Sequence, residues 1–201
     1  MNLIQSNPIV LASGNSGKIK EFQAILAAHP IIPQSQFNIV EADETGSTFV
    51  ENAIIKARNA ALHSKLPAIA DDSGLVVDAL NGAPGVRSAR YAGQKSSDQE
   101  NLQKLLVDLE GIPDQQRSGR FICVLVYMEH AEDPFPLIAH GVWEGRVLQQ
   151  PVGENGFGYD PVFWVPDREC SSAQLSAAEK NCLSHRAQAL IKLRQLINER
   201  T

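Results

Sequence analysis

A chain of 201 residues is long enough for one domain of ordinary size or two small lobes, and its 43% apolar content supplies a sizeable core. Its 18 basic and 23 acidic side chains leave a formal net charge of −5, which argues against a protein that coats nucleic acid. Cys123, Cys170 and Cys182 are widely spaced and form no C-x-x-C pair, so they indicate neither a zinc site nor a disulfide framework and fit a reducing, cytoplasmic setting.

Met1 to Pro8 is polar and lacks a basic region followed by an apolar core, so it is not read as a signal peptide; no 18-residue apolar run suggests a membrane span. Ile9 to Leu11 are β-formers. They lead into Ala12-Ser13-Gly14-Asn15-Ser16-Gly17-Lys18, after which Ile19, Phe22, Ile25 and Leu26 fall at helical spacing. A helix N-terminus presents unpaired backbone N–H groups and the positive end of a dipole, which suits a phosphate, and Lys18 adds a full charge. The spacing is not that of the loop G-x-x-x-x-G-K-[ST], and a glycine-rich turn with a surface lysine accounts for the residues equally well.

Pro30 to Pro33 is expected to be a loop broken by its prolines, and Phe37 to Val40 a strand. Thr48-Phe49-Val50-Glu51 has the form of a capping box that starts a helix through Ala53, Ile54, Ala57 and Ala61 to about Leu62. Ala68 to Ala70 reads as a short buried strand ending at Asp71-Asp72-Ser73. Gly82 to Gly93 is turn-rich and expected to be a functional loop. Ser97-Asp98-Gln99-Glu100 is a second capping box, leading a helix with Leu102, Leu105, Leu106 and Leu109 on one side. Arg120 to Glu129 and Leu137 to Leu148 read as two long strands that make a hairpin across Asp133-Pro134. A glycine-rich segment, Gly153 to Pro161, follows, and a helix from about Ser184 to Glu199 ends the chain. Early alternation of strands and helices followed by a hairpin predicts an α/β protein with a mixed sheet.

Asp71 and Asp72 stand where α/β sheets place ligand-binding residues, at a strand end; alternation sends the two side chains to opposite sides, although a turn starting here could relax that, so only one need face a given site. Glu41 and Glu44 lie in an acidic loop before a helix start. Carboxylates from separate loops suit Mg2+, which takes oxygen ligands and bridges phosphates, although an Asx-turn at Asp72 and a solvated charge at Glu44 are the plainer readings of each alone. Phe157-Gly158-Tyr159-Asp160-Pro161 combines rings, glycines and a carboxylate, which suits a planar base or a packed hairpin corner. Ser184-His185-Arg186 offers a helix cap and donors, and Lys180 is a further cation upstream. Ser73, Ser184 and His185 raise the question of a Ser-His-Asp hydrolase, but no G-x-S-x-G elbow is present.

Taken in order, the motifs Ser13-Gly14-Asn15-x-x-Lys18, Glu44-Thr45-Gly46-x-Thr48-Phe49-x-Glu51-Asn52-Ala53, Ala70-Asp71-Asp72-Ser73-Gly74-Leu75, Gly82-Ala83-Pro84-Gly85-Val86-x-Ser88-Ala89-Arg90-Tyr91, Gly156-Phe157-Gly158-Tyr159-Asp160-Pro161 and Ser184-His185-Arg186 make the chain resemble the Ham1/RdgB inosine triphosphate pyrophosphatases from Ile9 to about Leu196. The resemblance implies an elongated α/β fold, related to that of the Maf enzymes, with two lobes around a central nucleotide-binding cleft in a single domain. It also implies a homodimer, and with the cysteine usage, charge and apolar pattern above the expectation is a cytoplasmic protein with no nucleic-acid or membrane partner. The implied reaction is Mg2+-dependent cleavage of ITP, dITP or XTP to the monophosphate and pyrophosphate. By the family pattern, Ser13, Gly14, Asn15 and Lys18 contact the triphosphate, with Ser73 beside it. Glu44 and Asp72 serve the metal, and Asp72 activates the water. Phe157, Gly158, Tyr159 and Asp160 line the base pocket, and Lys180, His185 and Arg186 read the base edge. The alternatives are a pyrophosphatase for modified pyrimidine nucleotides, a nucleotide sensor without hydrolysis, and a structural dimer module. Asp72, Glu44 and Lys18 argue against the sensor, and the many polar loop motifs argue most strongly against the structural module.

Overall fold

The computed structural model describes residues 8–26 and 30–200, so Met1 to Asn7, most of the segment read as unlike a signal peptide, lies outside the described residues. Among the described residues, seven strands form one sheet in the order β2-β1-β3-β4-β5-β6-β7. They are β1 (Ile9–Leu11), β2 (Ile31–Pro33), β3 (Ala68–Val77), β4 (Ser118–Met128), β5 (Leu137–Val147), β6 (Phe163–Val165) and β7 (Cys170–Ser171). β1 runs parallel to β2 and β3, whereas β6 is antiparallel to β5 and β7. The mixed α/β sheet expected from the order of elements is therefore what the chain forms. The α-helices are α1 (Ser16–Ile25), α2 (Phe49–Ser64), α3 (Asp98–Asp108), α4 (Ala177–Leu183) and α5 (His185–Arg200). None of the described helices is long and apolar enough to cross a membrane.

Two compact units share these elements. The first comprises Met1–Asp72, Cys123–Gly141 and Arg186–Thr201, the second Ser73–Ile122 and Val142–His185. In the first unit, strand alternation sorts side chains between two helical layers. Ile9, Leu11 and Ile69 pack with Phe22 of α1 and with Ala189, Leu190 and Leu193 of α5. Val10, Ala68 and Ala70 pack instead with Ala53, Ala57, Ala60 and Ala61 of α2. Phe22 is fully buried, and its truncation to alanine would cost about 3–5 kcal/mol. In the second unit, Leu75, Val77, Phe121, Trp143 and Phe163 pack with Leu102, Leu105 and Leu109 of α3.

Both expected capping boxes are formed, at Thr48 with Glu51 and at Ser97 with Glu100. Three expectations need correction. The proline-broken stretch contains β2, in register with β1 through Ile9 and Ile31, because an edge strand tolerates Pro33 at its end. Phe37 to Val40 is not a strand: Gln34–Phe37 is a 3-10 turn, and Asn38, at φ 52°, turns the chain into the left-handed region. β3 does not stop at Ala70 but runs to Val77, which puts Asp71 and Asp72 inside a strand. The expected terminal helix is formed as α5; α4, which the sequence did not announce, precedes it, and Ser184, extended at ψ 157°, separates the two. β6 and β7 went unread because three and two residues give too little alternation to see.

Candidate functional site

In the first unit, the turn after β1 is built by the residues expected to hold phosphates. The Asn15 carboxamide caps α1, accepting from the Lys18 backbone N–H at 3.0 Å, and the Asn15 N–H donates to Ser13 Oγ at 3.2 Å. Gly14 and Asn15 are exposed, and the Lys18 ammonium lies 2.9 Å from Asp71 Oδ2.

Asp71 and Asp72 follow the alternation of the strand that carries them. Asp71 continues the face of Ile69, toward α1 and α5, and meets Lys18 and Arg186 Nη2, the latter at 3.3 Å. Arg186 Nη1 donates to Glu21 of α1. Asp72 continues the face of Ala68 and Ala70, toward α2. Its Oδ2 accepts from Asn52 Nδ2 at 3.2 Å and its Oδ1 from Lys56 Nζ at 3.1 Å. Lys56 Nζ also donates to Glu44 Oε1 at 2.8 Å, and Asn52 Oδ1 accepts from the Gly46 N–H at 2.8 Å. Glu44, from a loop, and Asp72, from a strand, thus converge on one cation.

The neighbouring aspartates have opposite electrostatics. Burial alone would raise the Asp71 carboxyl, but Lys18, then Arg186 and Lys56, outweigh it and hold Asp71 well below the usual carboxylate range. Burial also raises Asp72; Lys56 opposes this, the Glu44 charge adds to it, and Asp72 ends above its ordinary value. Burial disfavours the charged forms of Lys56 and Arg186, yet the carboxylates around them raise both.

Three further residues join these groups: Asn52, which a motif includes without a role, and Lys56 and Glu21, which no motif includes. The signal was present for two of them. Asn52 and Lys56 stand four residues apart beside the buried alanines of α2, and a polar pair on an apolar helix face calls for partners. Glu21 gives no such signal, because its partners are distant in sequence.

In the second unit, Ser73 lies half-buried in β3. Asp160 is 3% exposed and gathers its neighbours: Oδ2 accepts from the Phe157 N–H at 2.8 Å and from Lys180 Nζ at 2.5 Å, and Oδ1 accepts from Ser172 Oγ at 2.9 Å. The Lys180 ammonium also stands 4.9 Å from the centroid of the half-exposed Phe157 ring. Lys180 is carried by α4, whose capping box joins Ser176 and Glu179. Gly156 must be glycine, because it sits at φ 81° and a Cβ there would lie 2.1 Å from Asp160 Oδ2. The Gly158 N–H donates to Asp98 Oδ2 at 2.9 Å, which ties the loop to the start of α3. Tyr159 belongs to the core, with its hydroxyl donating to the Ser88 carbonyl at 2.8 Å. The His185 ring stacks on Phe121, centroids 4.9 Å apart and planes 13° from parallel.

The residues expected to meet one substrate therefore form two groups. Ser13, Gly14, Asn15, Lys18, Glu44, Asp72 and Arg186 belong to the first unit; Ser73, Phe157, Gly158, Tyr159, Asp160, Lys180 and His185 belong to the second.

The Ham1 family model matches residues 9–196. A protein of Photobacterium profundum named dITP/XTP pyrophosphatase is 60% identical over 187 residues, covering 92% of this chain and 95% of its own. The structure of a HAM1 protein from Coxiella burnetii is 54% identical and aligns with a TM-score of 0.89 over 96% of this chain and 99% of its own. The Staphylococcus aureus Ham1 protein is 42% identical, with a TM-score of 0.86 over 96% of this chain and 100% of its own. The motifs from Ser13 to Arg186 are thus those of a known fold and family, and the chain belongs to the Ham1 family.

Proposed function

We propose that the chain hydrolyses the non-canonical purine nucleoside triphosphates ITP, dITP and XTP to the monophosphate and pyrophosphate, so removing them before incorporation into nucleic acid. The observation that carries this reading is the convergence of Glu44 and Asp72 on a single cation, the Lys56 ammonium, at 2.8 and 3.1 Å. The name of the Photobacterium relative supports the same substrate class.

The donor set suits Mg2+. Both groups are carboxylates, and Asn52 fixes the second oxygen of Asp72. Among the described residues no cluster of three or more His, Cys, Asp or Glu side chains could hold a metal by itself. Glu44 and Asp72 would hold the ion together with water and substrate phosphates, which is how Mg2+ is commonly held. When bound, the ion would neutralise charge on the triphosphate and the leaving pyrophosphate. Asp72, raised by burial, is the better proton acceptor of the adjacent pair and takes the proton from the water that attacks the α-phosphorus. Asp71, held low, stays charged and keeps Lys18 in place. Two carboxylates whose environments pull them apart divide the roles of base and anchor.

Ser13, Gly14, Asn15 and Lys18 bind the triphosphate in this proposal, with Ser73 beside it. Phe157, Gly158, Tyr159 and Asp160 form the base pocket, and Lys180, His185 and Arg186 read its edge. Lysine and arginine have only donors, so they suit a purine with oxygen at C6 and leave donor against donor with adenine. The two units act as one domain, in a cytoplasmic homodimer. Steady-state kinetics on ITP, dITP, XTP, GTP and ATP with Mg2+, with products identified, tests the reading. Monophosphate and pyrophosphate from ITP and XTP are expected. Release of inosine diphosphate and phosphate would place attack at the γ-phosphorus and overturn it.

A further inference from the structure

In the first unit, Lys18, Asp71, Arg186 and Glu21 form a chain of alternating charge from α1 to β3, to the first turn of α5 and back to α1. Lys18 and Glu21 stand three residues apart on the same helix, so both ends of the chain rise from one helical face. Asp71 Oδ2 is the shared point: it takes Lys18 Nζ at 2.9 Å and Arg186 Nη2 at 3.3 Å. A guanidinium beside a carboxylate tends to close on it with two parallel N–H bonds. Here it does not, because Glu21 holds the other arm, Nη1.

We propose that Glu21 is a positioning residue which, by clamping Arg186, keeps the guanidinium from pairing fully with Asp71, so that this carboxylate still holds the Lys18 ammonium and aims the cation of the phosphate loop. The inference rests on the proposed function in treating Ser13 to Lys18 as the phosphate-facing turn. Without the Glu21 charge, two cations compete for Asp71. The Arg186 side chain is 3% exposed and cannot leave for water, whereas that of Lys18 is 19% exposed and can. Arg186 closes on Asp71, and Lys18 is displaced into solvent. A displaced lysine must be ordered again when phosphate binds, at the cost of rotamer freedom that the native arrangement has already lost.

The test is a double-mutant cycle of Glu21→Gln and Lys18→Ala, read by binding of inorganic tripolyphosphate in calorimetry and by kcat/KM for ITP, with folding checked by thermal melting. With Lys18 present, Glu21→Gln is expected to weaken both quantities about tenfold, the scale of coupling between groups in one ion-pair network. In the Lys18→Ala background it should change them less than roughly twofold. Glu21→Asp, which keeps the charge on a shorter arm, should recover part of the loss, and it takes the place of Glu21→Gln in the cycle should that variant not fold. An equal penalty in both backgrounds, or none in either, would mean that Glu21 serves the fold alone. Wild-type protein that binds tripolyphosphate but releases no pyrophosphate sinks the proposed function and leaves the binding cycle to decide the clamp; protein that does not bind tripolyphosphate overturns the clamp as well.

Discussion

Lys56→Met isolates the central charge of the candidate metal site. Methionine fills nearly the same space, so the change removes the ammonium and little else. The side chains involved are 14% exposed for Lys56, 7% for Asp72 and 26% for Glu44. Removing one partner from a buried ion pair costs about 3–5 kcal/mol, because the other partner is left as an uncompensated charge. Glu44 can turn toward water and Asp72 keeps its Asn52 bond, so the lower end applies, about 3 kcal/mol. At this chain length that is a fall in Tm of roughly 6–12 °C without metal. Mg2+ should restore it. An ion at ~100 times its Kd stabilises by about 2.7 kcal/mol, close to the loss. Wild-type protein should gain less, since the ion must compete with an ammonium already in place. Thermal melts of both proteins with EDTA and with Mg2+ give the comparison. Equal Mg2+ stabilisation of the two would refute the idea that Glu44 and Asp72 hold the ion near the Lys56 position.

The other predictions concern single residues. Asp72→Asn keeps the volume and removes the proposed base, so kcat for ITP should fall at least ~10²-fold with folding retained; retention of most activity would move the base elsewhere, with Asp71 next to be tested. Asp71→Asn should flatten the acid limb of stability. The folded pKa of Asp71 lies below its unfolded value, so its contribution is present above that value and is lost as pH falls through the folded one. Chemical denaturation from about pH 5 downward reads this, and an unchanged acid limb would contradict the assigned network. Arg186→Gln should cut kcat/KM for ITP by roughly 10–100-fold, the scale of one charged hydrogen bond, and leave ATP nearly unchanged if Arg186 reads the 6-oxo group. An unchanged ITP/ATP ratio would confine Arg186 to the Asp71 and Glu21 network. Gly156→Ala should drive Asp160 from its place, loosen Lys180 and raise KM for ITP more than it lowers kcat; unaltered kinetics would mean that the loop yields without disturbing Asp160.

The sequence made some of this legible because its signals were local. Thr48 with Glu51 and Ser97 with Glu100 satisfy backbone N–H groups within one turn, so the helix starts could be read from four residues each. The long strands β4 and β5 carry enough alternation to be seen, whereas β6 and β7 are too short for any period to register. β2 was hidden by its prolines, whose exclusion from strands does not apply at a sheet edge. Within the candidate site, Ser13 to Lys18 and Asp71-Asp72 stood out as motifs. Lys56 beside the alanine face of α2 signals a need for partners without naming them, and Glu21 looks like any charge on an amphipathic helix. What identifies them is a partner far along the chain: Asp72 for Lys56 and Arg186 for Glu21. Such pairings exist only after the strands and helices have packed.

The continuation of β3 through Asp71 and Asp72 is the correction with the largest chemical consequence. At a strand end the two carboxyls could have turned into one site and shared a role. Inside a strand they cannot, because successive side chains leave opposite faces. The same alternation that sends Ile69 to α1 and α5 sends Asp71 to Lys18 and Arg186, and the alternation that sends Ala70 to α2 sends Asp72 to Asn52 and Lys56. The first carboxyl meets two cations that keep it ionised. The second meets one, and shares it with Glu44, so burial prevails and it is left more basic. Their difference does not come from residue type, which is identical, or from position, which differs by one. It comes from which helix layer each face of the sheet carries. An exchange of partners would require slipping the strand by one residue, and that would also turn Ile69 and Ala70 onto the wrong layers. The packing of the first unit therefore holds the electrostatic difference between the two aspartates in place.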